Sequence, residues 1–497
     1  MCREACRLLG LSWDVVSAEL PSLETAGDVV LDGSAVYLTN LLKAEHAVSC
    51  NLLALMSTAP GTEAGPADFS IMPFELDIRQ KDAIESGRHS KVLVITGGPG
   101  TGKTTLCRVL LTAFKGQRIA LASPTGVAAK RIATATGLFA STIHRLLEYH
   151  PHLGWRRNQR NQLDADIVLV DEVSMVDINL MKRLTDAIPP TCRLILVGDA
   201  DQLPSVGPGR VLGDIITSGK IPIVELTQIQ RQGPLSKIIV NAHRVNHGLE
   251  LDLPEPPDNG EKPDPTDFYM IRRSTKEGCA QLAVELASEI LPDRFGYDPM
   301  ADIWVITPQN VGDCGTVALN AHLQAVLNPN GEKVPFLPKK GFRIGDLAMQ
   351  WKNDYELGVF NGDRGRILSF DEKKEEMTVQ IEGENSPTVY GKASASNLRL
   401  AYASTVHKSQ GNERKCVVLV MHKTHTRMLQ RSLLYTGMTR AVELLIIIGQ
   451  MHAVQIATRT VSKETRHSGL GFRLSESEGE SSPILVEADG VDPLGIS

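Results

Sequence analysis

An α/β fold built on two parallel sheets is what this sequence predicts, and three observations predict it. Short runs that are apolar on both faces recur after Lys91: KVLVIT (91–96), RIALAS (118–123), DIVLV (166–170), RLILVG (193–198) and IPIVEL (221–226). Helical patterns lie between most of them. A second set, DIWVIT (302–307), CVVLVM (416–421) and LLIIIG (444–449), follows an acidic, Pro-rich break at 249–268. A strand with no polar face suits the middle of a parallel sheet covered on both sides. Alternation of such strands with helices signals an α/β layer.

In chain order, residues 1–70 read as a small helical or winged-helix unit. It holds strand-like VVLDGSAVYL (29–38), a helical run from Thr39 to about Met56, and a Pro/Gly/Ala/Ser linker at 57–70. Residues 71–248 form the first sheet domain, with a small insert near 148–165. Residues 249–474 form the second, with a small β-barrel inserted near 340–400, where GDLAMQW, GVFNGDRGRILSF and EEMTVQIEG alternate with turns. The acidic, Ser/Gly-rich stretch 475–497 is expected to be disordered. No internal repeats are visible.

Composition narrows the function classes. Hydrophobic residues make up 42% of the 497, enough for large cores, and the formal net charge is −6. Any nucleic acid must then sit in a local groove and not on a generally basic surface. Eight cysteines lie scattered without a Cys-x-x-Cys pair, which disfavours zinc and fits free thiols in a reducing cytoplasm. No apolar run reaches the roughly 18 residues of a membrane span, and the N-terminus makes a poor signal peptide.

The strongest chemical signal is GGPGTGKT (97–104), between the strand KVLVIT and the helical TTLCRVLLTAF. Gly97, Gly98, Pro99, Gly100, Thr101 and Gly102 form a loop whose N–H groups wrap phosphates. Lys103 neutralises the β/γ-phosphates, Thr104 holds Mg²⁺, and Thr105 continues the helix whose dipole favours the anion. IVLVDEVSMVD (167–177) ends a strand in two carboxylates. Asp171 suits Mg²⁺ and Glu172 suits polarising the attacking water. In LVGDADQLPSVGPG (196–209), Gln202 is either a γ-phosphate sensor or part of an ordinary turn after a strand.

With these motifs in place, the chain resembles superfamily 1 helicases, specifically the RecD-like branch that moves 5′-to-3′. The motifs run in family order across roughly residues 15–475. The resemblance implies two RecA-like P-loop parallel-sheet motor domains, a small N-terminal helical or winged-helix unit and an SH3-like barrel insert. It places Gln80 in LDIRQKDAI as the adenine reader. Arg231 in LTQIQRQ and Arg440 in LLYTGMTRA become arginine fingers, which stabilise transition-state charge. Strand-touching segments are Pro124 and Thr125 in LASPTGVAAKRI, Thr142 and His144 in STIHRLL, and Thr405, His407, Lys408 and Ser409 in ASTVHKSQGNE. Their hydroxyls, imidazoles and cation suit phosphates without reading sequence. Two readings stand for His144 and His407: strand contacts, or satisfied structural histidines. Trp155, with Arg156, Arg157 and Arg160, lies where the family has its duplex-splitting hairpin; a solvated charged loop is the plainer reading. The NDY and NGD turns of the barrel grip the strand or are simply hairpin chemistry.

The expected activity is ATP-dependent, 5′-to-3′ DNA unwinding with ATP and Mg²⁺, in repair or recombination. Its partners are single-stranded DNA and single/double-strand junctions, with a single-strand-binding or recombination protein as a further one. A monomeric cytoplasmic motor is expected. Three rivals remain: a translocase that does not separate strands, a P-loop kinase or switch, and a binding module with a dead ATP site. Backbone-contacting groups do not distinguish DNA from RNA. Some residues depart from the family pattern: Gly437 replaces an expected Ala, and Asn412 and Arg414 replace acidic and aromatic residues; a long N-terminal helix-hairpin-helix array is not expected from residues 1–70.

Overall fold

The computed structural model describes residues 2–33, 35–71, 75–228, 236–253, 266–335, 337–461 and 466–475. The N-terminal strand-like run is a hairpin, β1 (Val29–Asp32) and β2 (Ala35–Leu38), turned at Gly33, whose φ of +59° suits glycine. The helix Thr39–Ser57 follows.

The first sheet contains β3 (Val92–Gly97), β4 (Ile119–Ser123), β5 (Ala140–Thr142), β8 (Ile167–Val170), β9 (Arg193–Gly198) and β10 (Ile223–Leu226). Its order is β10-β3-β9-β8-β4-β5, with every pair parallel. A hairpin of β6 (Tyr149–His150) and β7 (Gly154–Trp155) projects between β5 and β8. The two-faced apolar runs have the expected cause: alternate residues feed opposite cores. Val92, Val94, Val168, Val170, Leu194 and Leu196 enter one cluster, whereas Leu93, Ile95, Ile167, Leu169, Ile195 and Val197 enter the other.

The second sheet contains β11 (Phe268–Arg272), β12 (Ile303–Thr307), β18 (Ala403–Thr405), β19 (Arg414–Met421) and β20 (Ala441–Gly449). Its order is β11-β20-β19-β12-β18, again all parallel. Between β12 and β18 the chain builds an antiparallel five-stranded insert. Its strands are β13 (Leu347–Gln350), β14 (Arg364–Asp371), β15 (Glu376–Ile381), β16 (Thr388–Tyr390) and β17 (Leu398–Leu400). Phe342, Ile367, Met377, Val379 and Tyr390 give it a core of its own.

Two features differ from the sequence reading. A short repeat went unseen: Ala-Ser-Thr-Ile-His at 140–144 and Ala-Ser-Thr-Val-His at 403–407. Each copy is the edge strand of its sheet, and each threonine caps the short helix that follows. Five residues are too few to register as a repeat in a sequence of 497. Second, residues 466–474, assigned by sequence to the second domain, return to the first, and Ser475, assigned to the tail, ends the same helix. Leu470 and Leu474 are fully buried in the core that Leu52 and Met181 share. Glu45 of the Thr39–Ser57 helix accepts from Ser468 Oγ at 2.9 Å and pairs with Arg473 at 2.9 Å. Helical periodicity identifies a buried face but not which core receives it. The tail from 476 onward and residues 254–265 of the acidic break lie outside the described residues.

Candidate nucleotide site and strand groove

The phosphate loop leaves β3 at Gly97 and enters the helix Lys103–Thr112. Gly100 and Gly102 take φ of 72° and 82°, a region a Cβ would strain, and this turns the loop back on itself. Thr101 Oγ1 donates to the Gly98 carbonyl at 2.9 Å. Lys103 Nζ spans the loop, donating to the carbonyls of Gly97 at 2.7 Å and Gly98 at 2.8 Å. Pro99, Thr104 and Thr105 line the same cleft, of about 380 Å³.

Asp171 and Glu172 follow β8; Glu172 lines the cleft and Asp171 is buried beside it. Asp171 Oδ1 accepts from the Glu172 N–H at 2.9 Å, while its Oδ2 is buried without a hydrogen-bond partner. Burial, and then the neighbouring Glu172 charge, push the Asp171 carboxyl up to about 6. A buried carboxylate oxygen with no hydrogen-bond donor, and only the Arg131 guanidinium 3.7 Å away, is what a divalent cation would satisfy. Glu172 itself sits at φ 56°, a strained conformation that non-glycine residues keep where surroundings enforce it.

After β9, Asp199 Oδ2 accepts from Gln202 Nε2 at 3.1 Å and from the hydroxyl of Tyr435 at 3.0 Å. Tyr435 belongs to the helix Arg431–Met438 of the second half. Two further bonds sew this loop across: Leu203 N–H to Thr436 Oγ1 at 2.9 Å and Gln410 Nε2 to the Leu203 carbonyl at 2.8 Å. Gln202 Oε1 is buried and unpartnered, open to a donor in the cleft. Arg440 also lines the cleft, from the second half. Its guanidinium is buried and donates to the carbonyls of Thr436 at 3.0 Å and Asn412 at 3.2 Å and to Thr439 Oγ1 at 3.0 Å. Arg231 lies outside the described residues.

Two assignments need correction, and a third needs its place stated. Gln80 is buried, with its amide already used: Nε2 donates to the Thr101 carbonyl at 3.1 Å and Oε1 accepts from the Asp77 N–H at 3.2 Å. It braces the phosphate loop from behind and does not present a free adenine-reading edge. Ser409 is fully buried and donates to the Val406 carbonyl at 2.8 Å, so its hydroxyl does not face a strand. Trp155 lies in a hairpin as read, on its second strand and not at its turn. Its ring lies 4.5 Å from that of Tyr149 and 5.2 Å from His144, and Leu153 at the turn is 84% exposed instead. Arg156 and Arg157 both pair with Glu148, which offsets the basic character read there.

The remaining strand candidates share one geometry. Thr125, Thr142 and Thr405 each accept a backbone N–H three residues on, at 3.2–3.3 Å. An accepting hydroxyl keeps its O–H, so all three still offer a donor to a phosphate. Pro124 precedes the first of them at the helix entrance, half-buried. Burial lowers the pKa of His144 and of His407, which favours the neutral ring in both. Lys408 Nζ stands 4.4 Å over the Trp351 ring. Trp351, Lys339, Lys340, Arg399 and Thr405 line a second cleft, of about 470 Å³, between the insert and the second sheet. This gathers positive charge locally on a chain of net charge −6.

Sequence reasoning passed over Arg131, Glu413 and Tyr435. All three stood inside quoted or neighbouring motifs, but which cleft a helical residue faces is set by packing. Among the described residues, no helix is long and apolar enough to cross a membrane.

Comparison with known proteins adds three family matches. Residues 80–208 match the AAA domain, 319–381 the ATP-dependent RecD-like DNA helicase SH3 domain, and 400–448 the UvrD-like helicase C-terminal domain. The chain is 36% identical over 444 residues to the ATP-dependent RecD2 DNA helicase of Deinococcus radiodurans, covering 88% of itself but 58% of that protein. It is 32% identical over 476 residues to the RecBCD enzyme subunit RecD of Mycobacterium tuberculosis, covering 89% of itself and 80% of that protein. A solved structure of Pif1 helicases at forked double-stranded DNA is similar over 75% of this chain and 92% of its own, at 19% identity and a TM-score of 0.45.

Proposed function

The chain belongs to the RecD-like family of ATP-dependent DNA helicases, and on that premise we propose that it hydrolyses ATP to move 5′-to-3′ along single-stranded DNA and separate duplex. One observation supports this most directly. The phosphate-loop cleft is lined from both halves, by Lys103, Glu172 and Gln202 on one side and by Glu413 and Arg440 on the other. A nucleotide bound there draws the halves together, and its hydrolysis lets them part. Lys103 takes the phosphate charge, Glu172 orients the attacking water, and Gln202 reports the terminal phosphate to the loop bonded to Tyr435 and Thr436. Thr104 and Asp171 are the residues that would hold Mg²⁺, which would screen the phosphate charge. Arg231 is proposed as a second arginine finger.

The strand is proposed to run over Thr125, Thr142 and Thr405 and along the Trp351 groove, with His144, His407 and Lys408 beside it. Single-strand/double-strand junctions are the proposed substrate, and a single-strand-binding or recombination protein the proposed partner. We place the protein in the cytoplasm as a monomeric motor. The halves are proposed as 71–248 and 249–461.

ATP turnover by the purified protein, with and without single-stranded DNA, tests the reading. Strong stimulation is expected, and turnover indifferent to DNA would overturn it. Affinity for the strand should fall steeply with salt, with a logarithmic slope of about −0.7 for each phosphate neutralised. A flat titration would rule out the groove. Removing the hairpin turn, residues 151–153, should abolish unwinding of a forked duplex and leave DNA-stimulated ATPase intact. Retained unwinding would show that the hairpin is not the wedge.

A further inference from the structure

Arg131 lies on the helix Gly126–Thr136, which begins at the strand-contact candidate Thr125. Its guanidinium enters the nucleotide cleft. Nη2 is 2.8 Å from Glu172 and 3.7 Å from Asp171, and Nη1 is 3.4 Å from Glu413, which precedes β19 of the second sheet. One cation therefore ties the water-orienting carboxylate of one half to a carboxylate of the other.

The same helix is held at its other functional faces. Lys130, the adjacent residue, pairs with Glu384 of the insert at 2.7 Å. At the helix entrance, a Cβ on Gly411 would stand 3.1 Å from Thr125 Oγ1, so the 403–413 segment abuts the proposed strand path. Strand groove, insert and catalytic carboxylates thus meet on a helix of eleven residues. A carboxylate held in a charge-assisted bond to a guanidinium is poorly placed to accept a proton from water.

We propose that Arg131 is the positioning residue that makes hydrolysis depend on an occupied strand groove. Without a strand, it holds Glu172 against Glu413. A strand that engages Thr125 and Thr405 shifts the helix relative to 403–413, breaks this bridge and frees Glu172 to orient water. The inference rests on the helicase reading above and gives it a coupling element.

The test compares ATP turnover of wild type, Arg131→Ala, Arg131→Lys and Glu413→Gln, each with and without oligothymidylate, alongside fluorescent-nucleotide affinity. In Arg131→Ala, basal turnover should rise about tenfold, the scale of one charge-assisted bond, while the stimulated rate stays near wild type. The stimulation ratio then collapses. Arg131→Lys, which keeps the charge, should restore much of the ratio. Glu413→Gln, which removes the second-half anchor of the bridge, should raise basal turnover in the same direction. Equal loss of basal and stimulated rates in Arg131→Ala would overturn the proposal and make the residue part of the reaction itself. Unchanged rates would overturn it as well, leaving Arg131 a packing residue. Wild type that DNA fails to stimulate would sink the helicase reading, whereas an unraised basal rate in both variants sinks the hold on Glu172 regardless.

Discussion

Arg440→Ala should lower ATP turnover by about 10³–10⁵, the range for an arginine that neutralises charge developing on a transferred phosphoryl group, while nucleotide binding stays measurable. The residue is buried, and its guanidinium is held by Thr436, Thr439 and the Asn412 carbonyl. Those bonds fix the charge at the cleft wall before any nucleotide arrives, which is the preorganisation electrostatic catalysis needs. Truncation also strands the Asn412 carbonyl, at about 1–3 kcal/mol, whereas the Thr436 carbonyl keeps the Thr439 hydroxyl. Thermal unfolding must therefore be measured beside turnover. Arg440→Lys is the control, since it keeps a cation but loses the planar fork. A folded alanine variant with wild-type turnover would make Arg440 an interdomain strut and nothing more.

Lys103→Ala should reduce hydrolysis by at least about 10²–10³, the scale of losing one preorganised charge-stabilising donor. Its ammonium is positioned by the carbonyls of Gly97 and Gly98, at the centre of the loop. Among the described residues lining the cleft, the other cations are Arg131, which faces the carboxylates, and Arg440, from the second half. The check is single-turnover hydrolysis at saturating nucleotide, together with strand binding. Strand affinity should survive, because Thr125, Thr142 and Thr405 are built on other elements. Near-normal hydrolysis would remove GGPGTGKT from the active site.

Much of this was legible in the sequence because it is written locally. Leu93 and Val94 announce a two-faced strand by themselves, and a glycine loop between a strand and a helix needs no distant partner to be recognised. β5 was not read as a strand, since three residues carry no periodicity. Gln80 and Ser409 stand out in their motifs, but what their side chains bond to could not be read there. Their polar atoms are satisfied by the Thr101 and Val406 carbonyls, and hydrogen-bond satisfaction is a tertiary property. Arg131 shows the same limit from the other side. A lysine-arginine pair on a helix reads as solvated charge, until folding brings Glu172 and Glu413 to it.

The return of residues 466–475 bears on how motion in this molecule is best observed. Fluorophores on the helices Thr39–Ser57 and Leu470–Ser475 would both be seated on the first sheet's core. Energy transfer between them should stay constant through every turnover. A second pair, joining the helix Ile178–Ala187 to the insert strand Glu376–Ile381, would span the joint proposed to close on ATP. Recorded together on single molecules, the first pair supplies an internal reference for photobleaching and tumbling, and the second counts strokes.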